Sequence, residues 1–185
     1  MRFALVVLAS LALLVAGCSR AARVIIATPT PDSLPVTWEA YTNQDLGVGL
    51  KYPERWETEV KDQKEVYFFD RGRGLLLSVS RHDSTADKGK SLEQIIKAGN
   101  DNVAKTDPAR HQVDFRTVMV AGRQWVQTSV EYDATADTPA STMRTYNTRA
   151  GSDVLFVGIS APSDAFDDAL GRYFEPMLQS LTIGK

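Results

Sequence analysis

From Trp38 onward the chain alternates turn signals with short apolar segments. Val48, Leu50 and Tyr52 alternate with Gly49 and Lys51, the period of a half-buried strand, and Pro53 ends it. Val66 to Phe69 is a second short apolar run. A turn over Asp70-Arg71-Gly72-Arg73-Gly74 then returns the chain as a strand from Leu75 to Arg81, so the two runs read as a β-hairpin. A helix follows. Ser91 and Gln94 have the spacing of a capping box, and Leu92, Ile95, Ile96 and Val103 recur on one helical face.

The next four segments read as strands. Val113, Phe115, Thr117 and Met119 alternate with polar neighbours, and Ala121-Gly122-Arg123 turns the chain into Trp125 to Tyr132. There Val126, Thr128, Val130 and Tyr132 share a face. After the polar stretch Asp133 to Ala140 come Thr142 to Arg149 and then Val154 to Ile159, apolar on both faces. A strand of that kind belongs in the middle of a sheet covered on both sides. The last helix carries Phe166, Leu170, Tyr173, Phe174, Met177 and Leu181 as its stripe, with Ser163 and Asp164 as cap candidates. Pro176 inside that stripe predicts a kink or a break. Hairpin-linked strands with two amphipathic helices predict an α+β fold: an α/β/α sandwich whose central antiparallel sheet has about six strands flanked by helices.

The start of the chain has a different pattern. Arg2 precedes an apolar run from Phe3 to Val15 broken only by Ser10, and Val15-Ala16-Gly17 leads to Cys18, the single cysteine. A charged start, a short apolar core and small residues at the end make a cleavable signal segment. The run is too short for the ~20 residues of a spanning helix. A cysteine directly after the small residues resembles the lipobox of bacterial lipoproteins. That resemblance implies removal of residues 1–17, a diacylglyceryl group on the Cys18 thiol, and an extracytoplasmic domain held at the cell membrane. Ser19 resembles the residues that permit export to the outer membrane where a cell has two. Residues 18–37, with Thr28-Pro29-Thr30-Pro31 and Pro35, then read as a lipidated Pro/Thr-rich tether. Its stretch from Ser19 to Pro35, fully extended at about 3.1 Å per residue, would lift the domain by about 50 Å.

Composition narrows the partners. The formal charge is −2, and removing residues 1–17 takes away one positive charge, Arg2, leaving −3. This provides no basic footprint for nucleic acid. With the only cysteine lipidated, no disulfide can staple the domain, so its stability rests on one packed core.

Tyr41-Thr-Asn-Gln-Asp-Leu-Gly-Val-Gly-Leu-Lys-Tyr-Pro-Glu-Arg-Trp56 resembles the opening of PsbP-like domains: a tyrosine, a glycine-containing strand, then an aromatic residue, Pro and Trp. Ala161-Pro162 through Phe166, and Phe174 to Ser180-Leu181, resemble the close of the same family. The resemblance covers roughly residues 38–183 and assigns 38–185 to a PsbP-like domain. It implies an α/β/α sandwich, in lineages that run from photosystem II extrinsic subunits to bacterial lipoproteins and act mostly in docking or assembly. It carries no metal or binding motif onto this sequence. Within the motif, Pro53 and Trp56 read as core packing, with the indole N–H finding a carbonyl. Gly47 and Gly49 serve a turn or a close backbone approach.

Few residues suggest chemistry. His82 and His111 are the only histidines, and His82 beside Asp83 reads as a solvated loop pair. Gly158-Ile-Ser160-Ala-Pro162 lacks the second glycine of a nucleophile elbow, and a hydrolase would need Ser160 to meet a histidine. Asp164, Asp167 and Asp168 suit a helix start, while Glu131, Asp133 and Asp137 line a loop, neither with a calcium-loop pattern. Arg71 and Arg73 form a cationic hairpin tip. The sequence therefore predicts no catalytic residue, metal or cofactor. It predicts a non-enzymatic accessory or protein-docking domain, anchored through Cys18, whose partner is an envelope protein. The second reading is a lipid-anchored small-ligand receptor with a pocket between sheet and helix, lined by Tyr67, Phe68, Trp125, Tyr132 and Tyr146.

Overall fold

The computed structural model of the protein describes residues 35–107 and 110–184. The expected signal segment, Cys18 and the expected tether up to residue 34 lie outside the described residues. Residues Val36–Lys185 cluster as one unit.

The strands are β1 (Trp38–Asn43), β2 (Val48–Pro53), β3 (Glu57–Asp62), β4 (Glu65–Asp70), β5 (Leu75–Asp83), β6 (Arg110–Val120), β7 (Arg123–Tyr132), β8 (Ser141–Ala150), β9 (Asp153–Pro162) and β10 (Thr182–Ile183). They form a seven-stranded sheet of order β3-β4-β5-β9-β8-β7-β6 and a three-stranded one of order β1-β2-β10. The pairings are antiparallel. β9, the segment apolar on both faces, is the middle strand of the seven, with Val154, Leu155, Val157 and Ile159 all buried. The expectation of about six strands falls short. β3 is exposed at all six positions, so this edge strand has no apolar face for a pattern to reveal.

One face of the large sheet carries the core. Val66, Phe68, Leu77, Val79, Leu155, Val157 and Ile159 pack in a single cluster with Leu46, Leu50, Trp56, Tyr173, Phe174 and Met177. The small sheet joins through Tyr41 and Tyr52, whose rings lie 5.2 and 5.0 Å from Phe68. The C-terminal helical segment joins through Phe174, 5.9 Å from Trp56. Trp56 is core, as its motif predicts, but its indole N–H is buried without a hydrogen-bond partner rather than bonded to a carbonyl. Gly47 has φ +67° in the β1–β2 turn. A side chain at Gly49 would stand 2.8 Å from Thr182 Oγ1, so the small residue lets β10 close on β2.

The C-terminal segment stays helical through Pro176: α2 (Phe166–Ala169), a π-turn over Leu170–Phe174, then α3 (Glu175–Gln179). The wider turn sits directly before the proline, where a regular helix would need the N–H that proline lacks. No side chain caps this segment at its N-terminal residue, Ala165. Ser163, a cap candidate, instead bonds Thr142 Oγ1 at 3.0 Å.

The opposite face of the large sheet carries α1 (Leu92–Thr106). Its capping box forms as predicted: Gln94 N–H donates to Ser91 Oγ at 3.2 Å, and Ser91 N–H to Gln94 Oε1 at 2.8 Å. The layers are thus helix, seven-stranded sheet, and a mixed layer of helix and small sheet, a rough match to the α/β/α expectation.

Candidate functional site

The apolar stripe of α1 does not seal onto the sheet. None of the helix's 15 residues is buried; Ile95 and Ile96 are half-buried, and Val103 is 46% exposed. Beneath them lies a cleft of about 490 Å³. Ile95, Ile96, Gly99, Asn100 and Val103 form its helix wall, while Val154, Phe156, Thr145, Asn147 and His82 form its sheet wall. Register explains the sheet wall. His82 pairs with Val154, and Asn147 pairs with both Phe156 and Val126, so these alternate positions turn away from the Leu155–Val157–Ile159 core face.

This face is hydroxyl-rich where the other is aliphatic. Thr128 and Thr145, both buried, share a hydrogen bond of 2.7 Å, and Asn147 Nδ2 donates to Thr145 Oγ1 and to the Val126 carbonyl at 3.3 Å each. Ser80 Oγ lies 2.9 Å from His82 Nε2. On the helix wall, Asn100 Oδ1 accepts from the Arg110 guanidinium at 2.6 Å, which fixes the amide's orientation. Asn100 Nδ2 is buried and has no partner. The rim is acidic. Asp83 accepts the Thr85 backbone N–H at 2.7 Å, and that bond holds its carboxyl below the ordinary carboxylate range. Asp87 pairs with Lys90 at 2.7 Å.

A pocket between sheet and helix is therefore present, but not with the expected lining. Phe68 and Trp125 are fully buried in the opposite core, and Tyr146 is 5% exposed there, where burial pushes its hydroxyl's pKa up. Tyr67 stacks on Phe69 at 5.8 Å, away from the cleft, and Tyr132 does not line it. Large aromatic side chains carry the most area to bury and are consumed by the core. The aliphatic stripe of α1 lines the space instead.

The other candidates separate. His82 is no loop residue: it lies within β5, which ends one residue later at Asp83, and it bonds Ser80 rather than Asp83. Ser160 sits six residues along β9 from Val154, the partner of His82, about 20 Å away at about 3.3 Å per residue. His111 pairs across to Glu131, then Thr142, then Ala161, so it stands three strands from Ser160's neighbour, about 14 Å. Neither histidine reaches Ser160, which removes a nucleophile–base pair. His111 meets Asp133 at 3.0 Å in solvent. Arg71 bonds Glu57 at 2.8 Å and lies over Phe69. Arg73 bonds Asp70 and the Tyr173 hydroxyl, so the cationic tip fastens the β4–β5 turn to the C-terminal helical segment.

The acidic groups also divide. Glu131 and Asp167, one from each, line a second hollow of about 280 Å³ with Asp114, Ser129, Thr142, Arg144, Ser163 and Phe166. Arg144 lies 5.1 Å over the Phe166 ring and donates to Ser129 Oγ. Among the described residues, no three His, Cys, Asp or Glu side chains converge as a metal site would require.

No family model matches the chain, and no curated protein does. Solved structures match in fold. The solution structure of cyanobacterial PsbP (CyanoP) from Synechocystis sp. PCC 6803 aligns at TM-score 0.57 and 17% identity, over 82% of this chain and 95% of that one. The Ran-binding protein Mog1p of Saccharomyces cerevisiae aligns at TM-score 0.54 and 9% identity, over 80% and 96%. LpqN of Mycobacterium tuberculosis, described as involved in cell envelope biogenesis, aligns at TM-score 0.51 and 11% identity, over 82% and 93%. The chain spans 48% of a longer Bacteroides thetaiotaomicron protein of the same fold. At these identities the shared property is the fold.

Proposed function

We propose that this protein is an extracytoplasmic lipoprotein whose domain docks, without catalysis, onto a protein partner of the cell envelope. The observation that carries the reading is Val15-Ala16-Gly17-Cys18, placed directly after a short apolar run and holding the chain's only cysteine. In this reading residues 1–17 are removed, Cys18 becomes the lipidated N-terminus, and residues 18–37 tether a domain at 38–185. A diacylglyceryl group supplies two acyl chains, and two such signals hold a protein stably where a single chain binds reversibly. No helix among the described residues is long and apolar enough to cross a membrane. The acyl group is then what keeps the domain at the cell membrane, or at the outer membrane in a cell with two. Confinement raises its effective concentration for membrane partners.

The fold supports the docking half of the reading. Its neighbours include one protein described as Ran-binding and one described as involved in cell envelope biogenesis. The separation of Ser160 from both histidines agrees with a non-enzymatic role. Mass spectrometry of the protein purified from its own membranes tests the anchor. The expected N-terminus is Cys18 carrying the added diacylglyceryl mass, and Cys18→Ala abolishes both that mass and the cut before residue 18. A mature chain with an unmodified Cys18 thiol would contradict the anchor.

A further inference from the structure

We infer that the free edge of β6 is a self-association surface, on which a second copy of this chain pairs its own β6 antiparallel about a twofold axis through Thr117. This adds a homodimer to the docking function and does not rest on it.

β3 and β6 are the two edges of the large sheet, and they are built differently. β3 has six residues, an irregular register between Val60 and Asp62, and three carboxylates (Glu57, Glu59 and Asp62) against one lysine, Lys61. Two copies of it would meet like charge, and short, charged, irregular strands are how a sheet blunts an edge. β6 runs for 11 residues. Its irregularity falls between Gln112 and Asp114, which leaves Asp114 to Val120 in regular register with β7. That stretch, Asp-Phe-Arg-Thr-Val-Met-Val, has neither Gly nor Pro. Its only charges are Asp114 and Arg116, already paired at 3.0 Å, so it presents a second copy with no net charge.

The β6–β7 turn fixes which backbone groups are free. Val120 and Arg123 bracket the two-residue turn Ala121-Gly122, where φ is +47° and +72°. In a turn of that type the bracketing pair exchanges hydrogen bonds, and inward- and outward-facing residues then alternate along the strand. Val120, Val118 and Arg116 direct their backbone groups to β7, so Met119, Thr117 and Phe115 turn their N–H and C=O groups outward. Their side chains also share one face, the one that carries α1, because Thr117 pairs with Val126 and Val126 with Asn147 of the cleft. α1 stands over β7 and β8 and leaves this end of β6 open: Thr117 is exposed, and Met119 is 65% exposed.

The occupant follows from symmetry. A twofold axis through Thr117 sets Thr117 against Thr117 of the second copy, and each exposed Met119 against the half-buried Phe115 of the other chain. Outward-facing backbone groups meet outward-facing ones in this register, so ladder hydrogen bonds form at all three positions. A thioether against an aromatic ring and a threonine pair are both favourable cross-strand contacts. Arg116 comes opposite Val118 of the second copy, with its charge still held by its own Asp114. One strand thus supplies both halves of an isologous contact.

Residues 36–185, which contain the whole core, test this in sedimentation equilibrium. The mass is expected to rise from one chain to two with concentration. Met119→Lys is expected to weaken dimerisation about tenfold or more, because the twofold loses the contact twice. It should melt with the wild type when both are dilute, since the side chain it replaces is exposed. Residues 36–185 contain no cysteine, so Thr117→Cys introduces a single thiol. That variant is expected to form a disulfide dimer under mild oxidation, its Cα atoms being about 5.5 Å apart across the axis. Met119→Cys, about 13 Å from its counterpart, is expected to stay reduced. A monomer up to about 1 mM, or a dimer that Met119→Lys leaves unchanged, would overturn the surface. Met119→Cys cross-linking as fast as Thr117→Cys would overturn the register. A monomer whose Met119→Lys variant loses an envelope partner would give the edge to that partner and overturn self-association.

Discussion

Phe174→Ala is expected to destabilise the domain by about 3–5 kcal/mol, read as a lowered urea midpoint with an unchanged slope. Phe174 is fully buried, edge-on to Trp56 and tilted against Phe166 at 6.5 Å. It stands at the end of the π-turn, so it is where the C-terminal helical segment presses into the core beside the small sheet. Truncation removes the ring and leaves a void, and helical backbone on both sides limits how far the gap can collapse. Against a typical stability of about 5–15 kcal/mol, that loss brings the domain close to unfolding. A loss below about 1 kcal/mol would mean that the helical segment does not depend on this contact.

Trp125→Ala is expected to cost a similar amount, about 3–5 kcal/mol, at the other end of the large sheet. Trp125 is 1% exposed, and its indole N–H donates to the Val120 carbonyl at 3.1 Å across the β6–β7 turn. The variant therefore makes a cavity and leaves that carbonyl without its donor. Trp56 offers the internal comparison, because its buried N–H has no partner to lose. Trp125→Phe should accordingly cost more than Trp56→Phe, by about 1 kcal/mol, the net worth of a hydrogen bond. Equal costs in denaturant unfolding would show that the Val120 contact contributes nothing.

The sequence was most legible where burial and period coincide. β9 announced its central place because both of its faces are apolar, and Ser91 with Gln94 marked the start of α1. β3 escaped because a fully exposed edge strand has no buried face. β1 escaped because only Trp38, Tyr41 and Asn43 of its six residues are even half-buried. Pro176 pointed to a disturbance, but sequence could not distinguish a broken helix from one that absorbs the proline in a π-turn. For the site, sequence reasoning foresaw a pocket between sheet and helix and chose its aromatic residues as lining. The available signal was Gly99-Asn100, a weak helix former and an amide in the midst of the α1 stripe. Its meaning depended on knowing that the stripe stays unburied.

If a lipid anchor holds the domain against an envelope protein, a cross-linked, mild-detergent pull-down of the tagged protein from its own membranes recovers the pair. One dominant partner identified by mass spectrometry is expected, and its loss when Cys18→Ala removes the anchor. A chain recovered alone, equally clean from wild type and Cys18→Ala, would contradict it.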